Sequence, residues 1–269
     1  MTRKPRRPSP RAGEGTQGGR SELSADKIAF AQSLVIHGDA HMLAFNKPAG
    51  LAVQGGSGVT LSLELLLAAF AKSNGKLPRL VHRLDRDTSG VIAAARTKPA
   101  AAFLSAAFAG RDARKTYLAI VCGGAPAPEM GEIALPLLKA SRAGLDIMEV
   151  ARDAARGEGG RRVQQALTRY RTLEASACAA LVELTPETGR MHQLRVHLAA
   201  IGRPIAGDGK YGGLFSLGGT AIPRLMLHAA ALDLPHPAGG RLTLAAPLPA
   251  DFAEVIAELG FGTARAPET

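Results

Sequence analysis

The stretch LVHRLDRDTSGVIAAA, residues 80–95, sets the most polar turn of the chain between apolar flanks. Leu80 and Val81 lead in, and Val91 to Ala95 lead out as a buried strand. Two carboxylates, two guanidiniums, an imidazole and two hydroxyls are thereby confined to one turn. Such a composition is costly unless the turn is solvated, held by ion pairs, or used in chemistry. Upstream, Met42 to Phe45 forms a short apolar strand stopped by the turn signal NKPAG at 46–50. A flexible GGSG loop at 55–58 follows, and the leucines from Leu61 to Phe70 space as an amphipathic helix. Downstream, Lys98 to Phe108 reads as a helix and Thr116 to Val121 as a strand. Residues 166–174 and 179–184 then make a hairpin, and Pro186 to Arg190 turns the chain into a helix from Met191 to Ile201. Leu242 to Leu244 is a late strand, and Asp251 opens, as N-cap, a final helix to Leu259. Strands in runs with helices inserted predict an α+β fold around a mixed, mainly antiparallel sheet. GxGxxG strings occur at 13–18 and 207–212, but neither follows a predicted strand and opens a helix, and no GxxxxGK[ST] is present, so a Rossmann or P-loop reading fails.

The chain has 269 residues, of which 46% are hydrophobic and 21% charged, the balance of an ordinary globular protein. Residues 28–262 read as one domain, preceded by a disordered basic tail at 1–27 and followed by a short tail at 263–269. A charged, Gly-rich connection interrupts it at 152–162. No apolar run approaches the ~20 residues of a membrane span. No apolar core follows the basic N-terminus as a signal peptide would require. Cys122 and Cys178 lie in no zinc spacing and make no disulfide scaffold, so the expected location is the reducing cytoplasm. The net charge is +10. Residues 1–20 alone hold Arg3, Lys4, Arg6, Arg7, Arg11 and Arg20 against Glu14. Such an excess suits a polyanion such as RNA, although a merely soluble basic protein fits it too.

Two further segments carry candidate chemistry. In TGRMHQLRVHL, residues 188–198, Met191, Leu194 and Leu198 form an apolar stripe. His192 and Arg195 share a neighbouring face three residues apart, at a helix start that favours anions. His192 and His197 are five apart and no Glu follows the first, so a metal site is not expected. In Arg114-Lys115-Thr116-Tyr117, the tyrosine opens a strand. It fits either a core aromatic or a ring presented for stacking on a base.

Together and in this order, these segments resemble the RluA family of RNA pseudouridine synthases. HRLDRDTSG at 82–90 resembles the family's central motif, ARKTYLAIVCG at 113–123 its tyrosine segment, and ETGRMHQLRVHLAAIGRPIAGDGKYG at 187–212 its basic motif. NKPAGLAV at 46–53 and LMLHA at 225–229 resemble the opening and closing ones, so the likeness covers about 35–255. It implies Asp85 as the catalytic residue, Arg195 as the group pairing with it, and Tyr117 as the active-site tyrosine. Arg83 would fill the space left by a flipped nucleotide, and His82, Arg190 and His192 would contact substrate. Met191 departs from the small hydroxyl residue usual there, and the stretch ahead of residue 35 is too short for an S4 RNA-binding module. The implied reaction, uridine to pseudouridine, needs no cofactor or metal. The implied partner is RNA, ribosomal ahead of transfer RNA, bound by a monomer. A non-catalytic ribosome-assembly protein would explain the charge but not the presence of all three of Asp85, Tyr117 and Arg195. A hydrolase using Asp85 finds no DxDx[TV] pattern around it.

Overall fold

A computed structural model describes residues 23–56, 58–142, 144–151 and 162–262. Residues 1–22 of the tail read at 1–27, residues 152–161 of the connection read at 152–162, Ser57 of the GGSG loop and the tail at 263–269 lie outside the described residues.

Helix α1 (Ala25–Ser33) starts three residues ahead of the expected boundary. Ser24 accepts the Lys27 N–H as its cap, and Asp26 favours the first turn. Next come β1 (Val35–Gly38), β2 (Met42–Lys47), α2 (Leu63–Leu66) running into a 3₁₀ turn at Leu67–Phe70, β3 (Arg79–Leu80) and β4 (Ser89–Ala95). Helix α3 (Lys98–Ala109) leads to β5 (Arg114–Cys122), β6 (Met130–Ile133) and the pair β7 (Leu137–Arg142) and β8 (Leu145–Val150). The chain continues through β9 (Thr168–Ala175), β10 (Ala179–Pro186), α4 (Gln193–Ala200), β11 (Ser216–Leu217) and β12 (Thr220–Ala221). It ends with β13 (Leu227–Pro235), β14 (Arg241–Ala245) and α5 (Ala250–Glu258).

Ten strands form one sheet in the order β1-β2-β4-β13-β5-β10-β9-β6, with β14 on β13 and β3 on β4. Every pairing is antiparallel except β4 with β13. The mixed, mainly antiparallel sheet is therefore present as expected.

That single parallel contact positions the polar turn. The free edge of β4 is shared: β3 pairs with its end at Ala94 and Ala95, and β13 with its start at Ser89 and Gly90. The turn at 82–88 is thus held where the two halves of the sheet meet. Gly90 makes the junction possible. Its φ is +113°, and a Cβ there would lie 2.1 Å from the Ala229 carbonyl oxygen. Ala229 also pairs with Tyr117 of β5. Tyr117 therefore lies two strand spacings, roughly 10 Å, from the end of the polar turn. Its ring packs against the apolar clusters of both halves.

Three local expectations need correction. The leucine-rich stretch 61–70 is one short turn of α-helix followed by 3₁₀. The helix expected from Met191 begins at Gln193, because His192 takes a left-handed conformation at φ +52°. Asp251 is not the N-cap: Pro249 holds that position, and the Asp251 carboxylate binds Arg224 through two bonds of 2.6 and 2.7 Å. Strand β13, the centre of the sheet, is a strand the sequence reading left out. Among the described residues no helix is long and apolar enough to cross a membrane.

Far from the polar turn, Asp39 joins the β1–β2 turn to the start of the β13–β14 turn. Its Oδ2 accepts from His37 Nε2 at 2.8 Å and His236 Nε2 at 2.9 Å, and its Oδ1 from the backbone of His41 and Met42. Burial opposes the charge, but these donors outweigh it and hold the carboxyl well below its usual range. Asp39→Asn would set an amide N–H₂ against two imidazole N–H groups. We expect a loss of about 2 kcal/mol, read as a lower Tm in thermal denaturation at pH 7. Because the folded-state pKa is depressed, the wild-type advantage holds above about pH 4 and fades as pH falls below it. A gap unchanged at pH 3 would contradict this account.

Candidate active site

All seven residues singled out from the sequence line one cleft of about 1080 Å³: His82, Arg83, Asp85, Tyr117, Arg190, His192 and Arg195. The turn supplies the first three, β5 the tyrosine, and the start of α4 the rest. Arg83 and Arg190 are exposed at the rim with Arg111, Arg114 and Arg169, a basic mouth suited to a polyanion.

The turn is braced from beneath by Lys47. Its side chain is fully buried, and its Nζ donates to the carbonyls of Pro48, Leu51 and Arg86 at 2.8–2.9 Å. Burial pulls this lysine down to about 7, against the pull of Asp87 and Asp85. The Arg86 side chain returns a bond to the Gly50 carbonyl, so the NKPAG turn and the polar turn are laced together. Without the ammonium, the Pro48 and Leu51 carbonyls would lose their donor among the described residues, each at about 1–3 kcal/mol where buried, while the Arg86 carbonyl keeps the Gly50 N–H.

Asp85 is partly open to the cleft. Its Oδ2 lies 3.5 Å from Arg195 Nη1 and 3.9 Å from His192 Nε2. Arg195 is nearly inaccessible, and its main partner is a residue the sequence reading passed over. Asp208, fully buried, takes Nε and Nη2 in a two-pronged contact at 2.7 and 2.8 Å. The same carboxylate accepts the backbone N–H of Lys210 and Tyr211, which fixes the loop. Gly207, at φ +73°, allows this: a Cβ would lie 1.8 Å from the Arg224 carbonyl oxygen. Burial disfavours the guanidinium charge, but the bonds and charge of Asp208, with the charge of Asp85, push Arg195 upward. The cation is thus locked, with its remaining Nη1 turned toward Asp85. The Arg195 guanidinium carbon lies over the Tyr211 ring, 5.2 Å from its centroid.

Tyr117 is raised above its ordinary range by burial and by the charge of Asp85, so its hydroxyl keeps its proton. Gln193 secures the helix start, accepting the Arg190 N–H and the Thr188 hydroxyl. His82, assigned to substrate from sequence, is committed to the protein. Its Nε2 accepts the Ala93 N–H at 2.9 Å, and its ring stacks on Phe108 at 4.3 Å. Burial, helped by Lys115, lowers it to about 3, so it stays neutral. It holds the turn instead. Arg190 donates to the Gln165 carbonyl, which steadies it at the rim.

Residues 41–200 match the family described as RNA pseudouridylate synthase. The ribosomal large subunit pseudouridine synthase C of Vibrio cholerae is 37% identical over 237 residues, 87% of this chain and 71% of that protein. The protein of the same name from Escherichia coli K12 is 37% identical over 222 residues, and this chain spans 66% of its length. Among solved structures, human RNA pseudouridylate synthase domain containing 4 matches with TM-score 0.73 and 31% identity, over 88% of this chain and 98% of that one. Human RNA pseudouridylate synthase domain containing 1 follows at TM-score 0.63 and 29% identity, over 80% and 83%.

Proposed function

The chain belongs to the RluA-type family of RNA pseudouridylate synthases, and from that premise we propose that it isomerises specific uridines of large-subunit ribosomal RNA, with Asp85 as the catalytic carboxylate. The observation that carries the role of Asp85 is its partly open side chain, 3.5 Å from a locked guanidinium in a cleft that also holds Tyr117. The ribosomal target rests on the names of the two bacterial relatives.

In the reaction the N1–C1′ bond breaks, the uracil turns, C5 bonds to C1′, and the proton leaving C5 is balanced by one gained at N1. The base is retained throughout. An ionised carboxylate suits this chemistry, either attacking as a nucleophile or stabilising positive charge that builds on the sugar. Arg195 sets a fixed positive charge 3.5 Å from Asp85 and aims its carboxylate. The uridine is first turned out of its stack, at a cost of a few kcal/mol, and Arg83 on the exposed side of the turn fills the gap. Tyr117 stacks on the extruded uracil, because a hydroxyl that holds its proton above the ordinary range is a poor base.

Mapping pseudouridine in ribosomal and transfer RNA from cells with and without the gene tests this reading. Sites lost from large-subunit RNA on deletion are the expected result. Sites lost only from transfer RNA would redirect the substrate, and no lost site would reject the activity.

A further inference from the structure

Tyr211 is absent from the mechanism above, yet it touches both groups that flank Asp85. Its ring lies against Arg195, and its hydroxyl meets two partners. It accepts the Met148 backbone N–H at 3.0 Å and lies 2.7 Å from His192 Nδ1. The hydroxyl carries one proton, which burial helps it keep. With Met148 donating, the partner left for that proton among the described residues is His192 Nδ1. Burial lowers His192, against the pull of Asp85, so the ring is neutral and a ring nitrogen can accept. Nδ1 is then the acceptor, and the ring's own proton sits on Nε2, which faces Asp85 Oδ2 at 3.9 Å.

The left-handed backbone of His192 aims the ring this way at the mouth of α4. Met148 belongs to the β7–β8 pair, a two-stranded sheet separate from the main one. A backbone group of that arm therefore fixes which nitrogen faces the carboxylate.

We propose that Tyr211 is a positioning residue: docked against the β7–β8 arm, it holds His192 as the Nε2–H tautomer and keeps Arg195 in line, so that Asp85 meets the nucleotide between two N–H donors. The importance of that arrangement for turnover rests on the assignment of Asp85 above, whereas the tautomer does not.

Two measurements test it. Long-range proton–nitrogen NMR of the full chain labelled with ¹⁵N-histidine, without RNA, reads the tautomer directly. Wild type should show Nδ1 unprotonated and Nε2 protonated for His192, and Tyr211→Phe, which keeps the ring, should show a mixture. With RNA, Tyr211→Phe should lower kcat about tenfold, the size of one lost hydrogen bond, with KM nearly unchanged. In a His192→Gln background the same change should alter kcat by less than about twofold. An Nδ1–H tautomer in wild type, an unaltered tautomer in Tyr211→Phe, or a loss expressed only in KM overturns the proposal. Absence of pseudouridine with wild-type protein on every RNA tried would instead reject the function proposed for Asp85, while the NMR result stood by itself.

Discussion

Asp85→Asn ends pseudouridine formation, with a fall in kcat of more than about 10⁴-fold, while the protein stays folded and still binds RNA. The substitution keeps the shape of the side chain and an oxygen for Arg195 Nη1, which approaches at 3.5 Å in the wild type. It removes the negative charge, and with it both the nucleophile and the counter-charge for a developing sugar cation. Folding should barely respond, because Arg195 remains bound to Asp208 and the turn remains braced by Lys47. Binding should persist, because the basic rim and the Tyr117 ring are untouched. Pseudouridine is quantified by nucleoside mass spectrometry after digestion of the RNA, and affinity by gel shift at fixed salt. Turnover above one per cent of wild type, roughly 100-fold above the predicted ceiling, would remove Asp85 from the chemistry.

The turn that carries Asp85 was legible because its signal is local. A run of charged and hydroxyl residues between apolar flanks announces itself in nine consecutive letters, and the family likeness rests on the same contiguity. What holds that turn is not local. Lys47 reaches Arg86 across 39 positions. Asp208 was inside the quoted basic motif, yet nothing in that string says which carboxylate closes on Arg195. A buried Asp flanked by glycines, thirteen residues after an Arg, was the one available hint, and a loop Asp is usually read as a turn residue. The same holds for Tyr211, whose partners lie on α4 and β8.

Strand β13 escaped for a different reason. LHAAALDLP is rich in alanine, weak in β propensity, and interrupted by His and Asp. It is a strand because it is buried on both sides between β4, β5 and β14, where pairing decides what propensity cannot. The polar letters are absorbed by that setting. His228 sits against Ser89 of β4 at 3.0 Å and close to the Ala246 carbonyl, and Asp233 binds Arg241. Asp251 misled for a related cause: a residue type that favours helix starts was recruited by an arginine 27 positions away.

Asp208→Asn should be strongly destabilising. Both partners are buried, with side-chain exposures of 6% for Arg195 and 0% for Asp208. Replacing one carboxylate oxygen with N–H₂ sets donor against donor and leaves a guanidinium with too little counter-charge. Breaking a buried pair in this way costs about 3–5 kcal/mol, and at this chain length each kcal/mol is worth roughly 2–4 °C in Tm. Activity should fall further than stability explains, because Arg195 is then free to close on Asp85 and cover the oxygen that must face the ribose. A paired variant separates the two effects. In Asp208→Leu with Arg195→Met neither charge of the pair remains, and replacing a buried pair by apolar side chains is often neutral or stabilising. That double variant should regain part of the lost Tm, because the Lys210 and Tyr211 N–H groups still lose their acceptor, and none of the pseudouridine formation. Thermal denaturation and the mass-spectrometric assay decide the matter side by side. A drop below about 1 kcal/mol in Asp208→Asn would show that the pair contributes little to the fold. Turnover recovered together with Tm in the double variant would show that Arg195 serves stability alone.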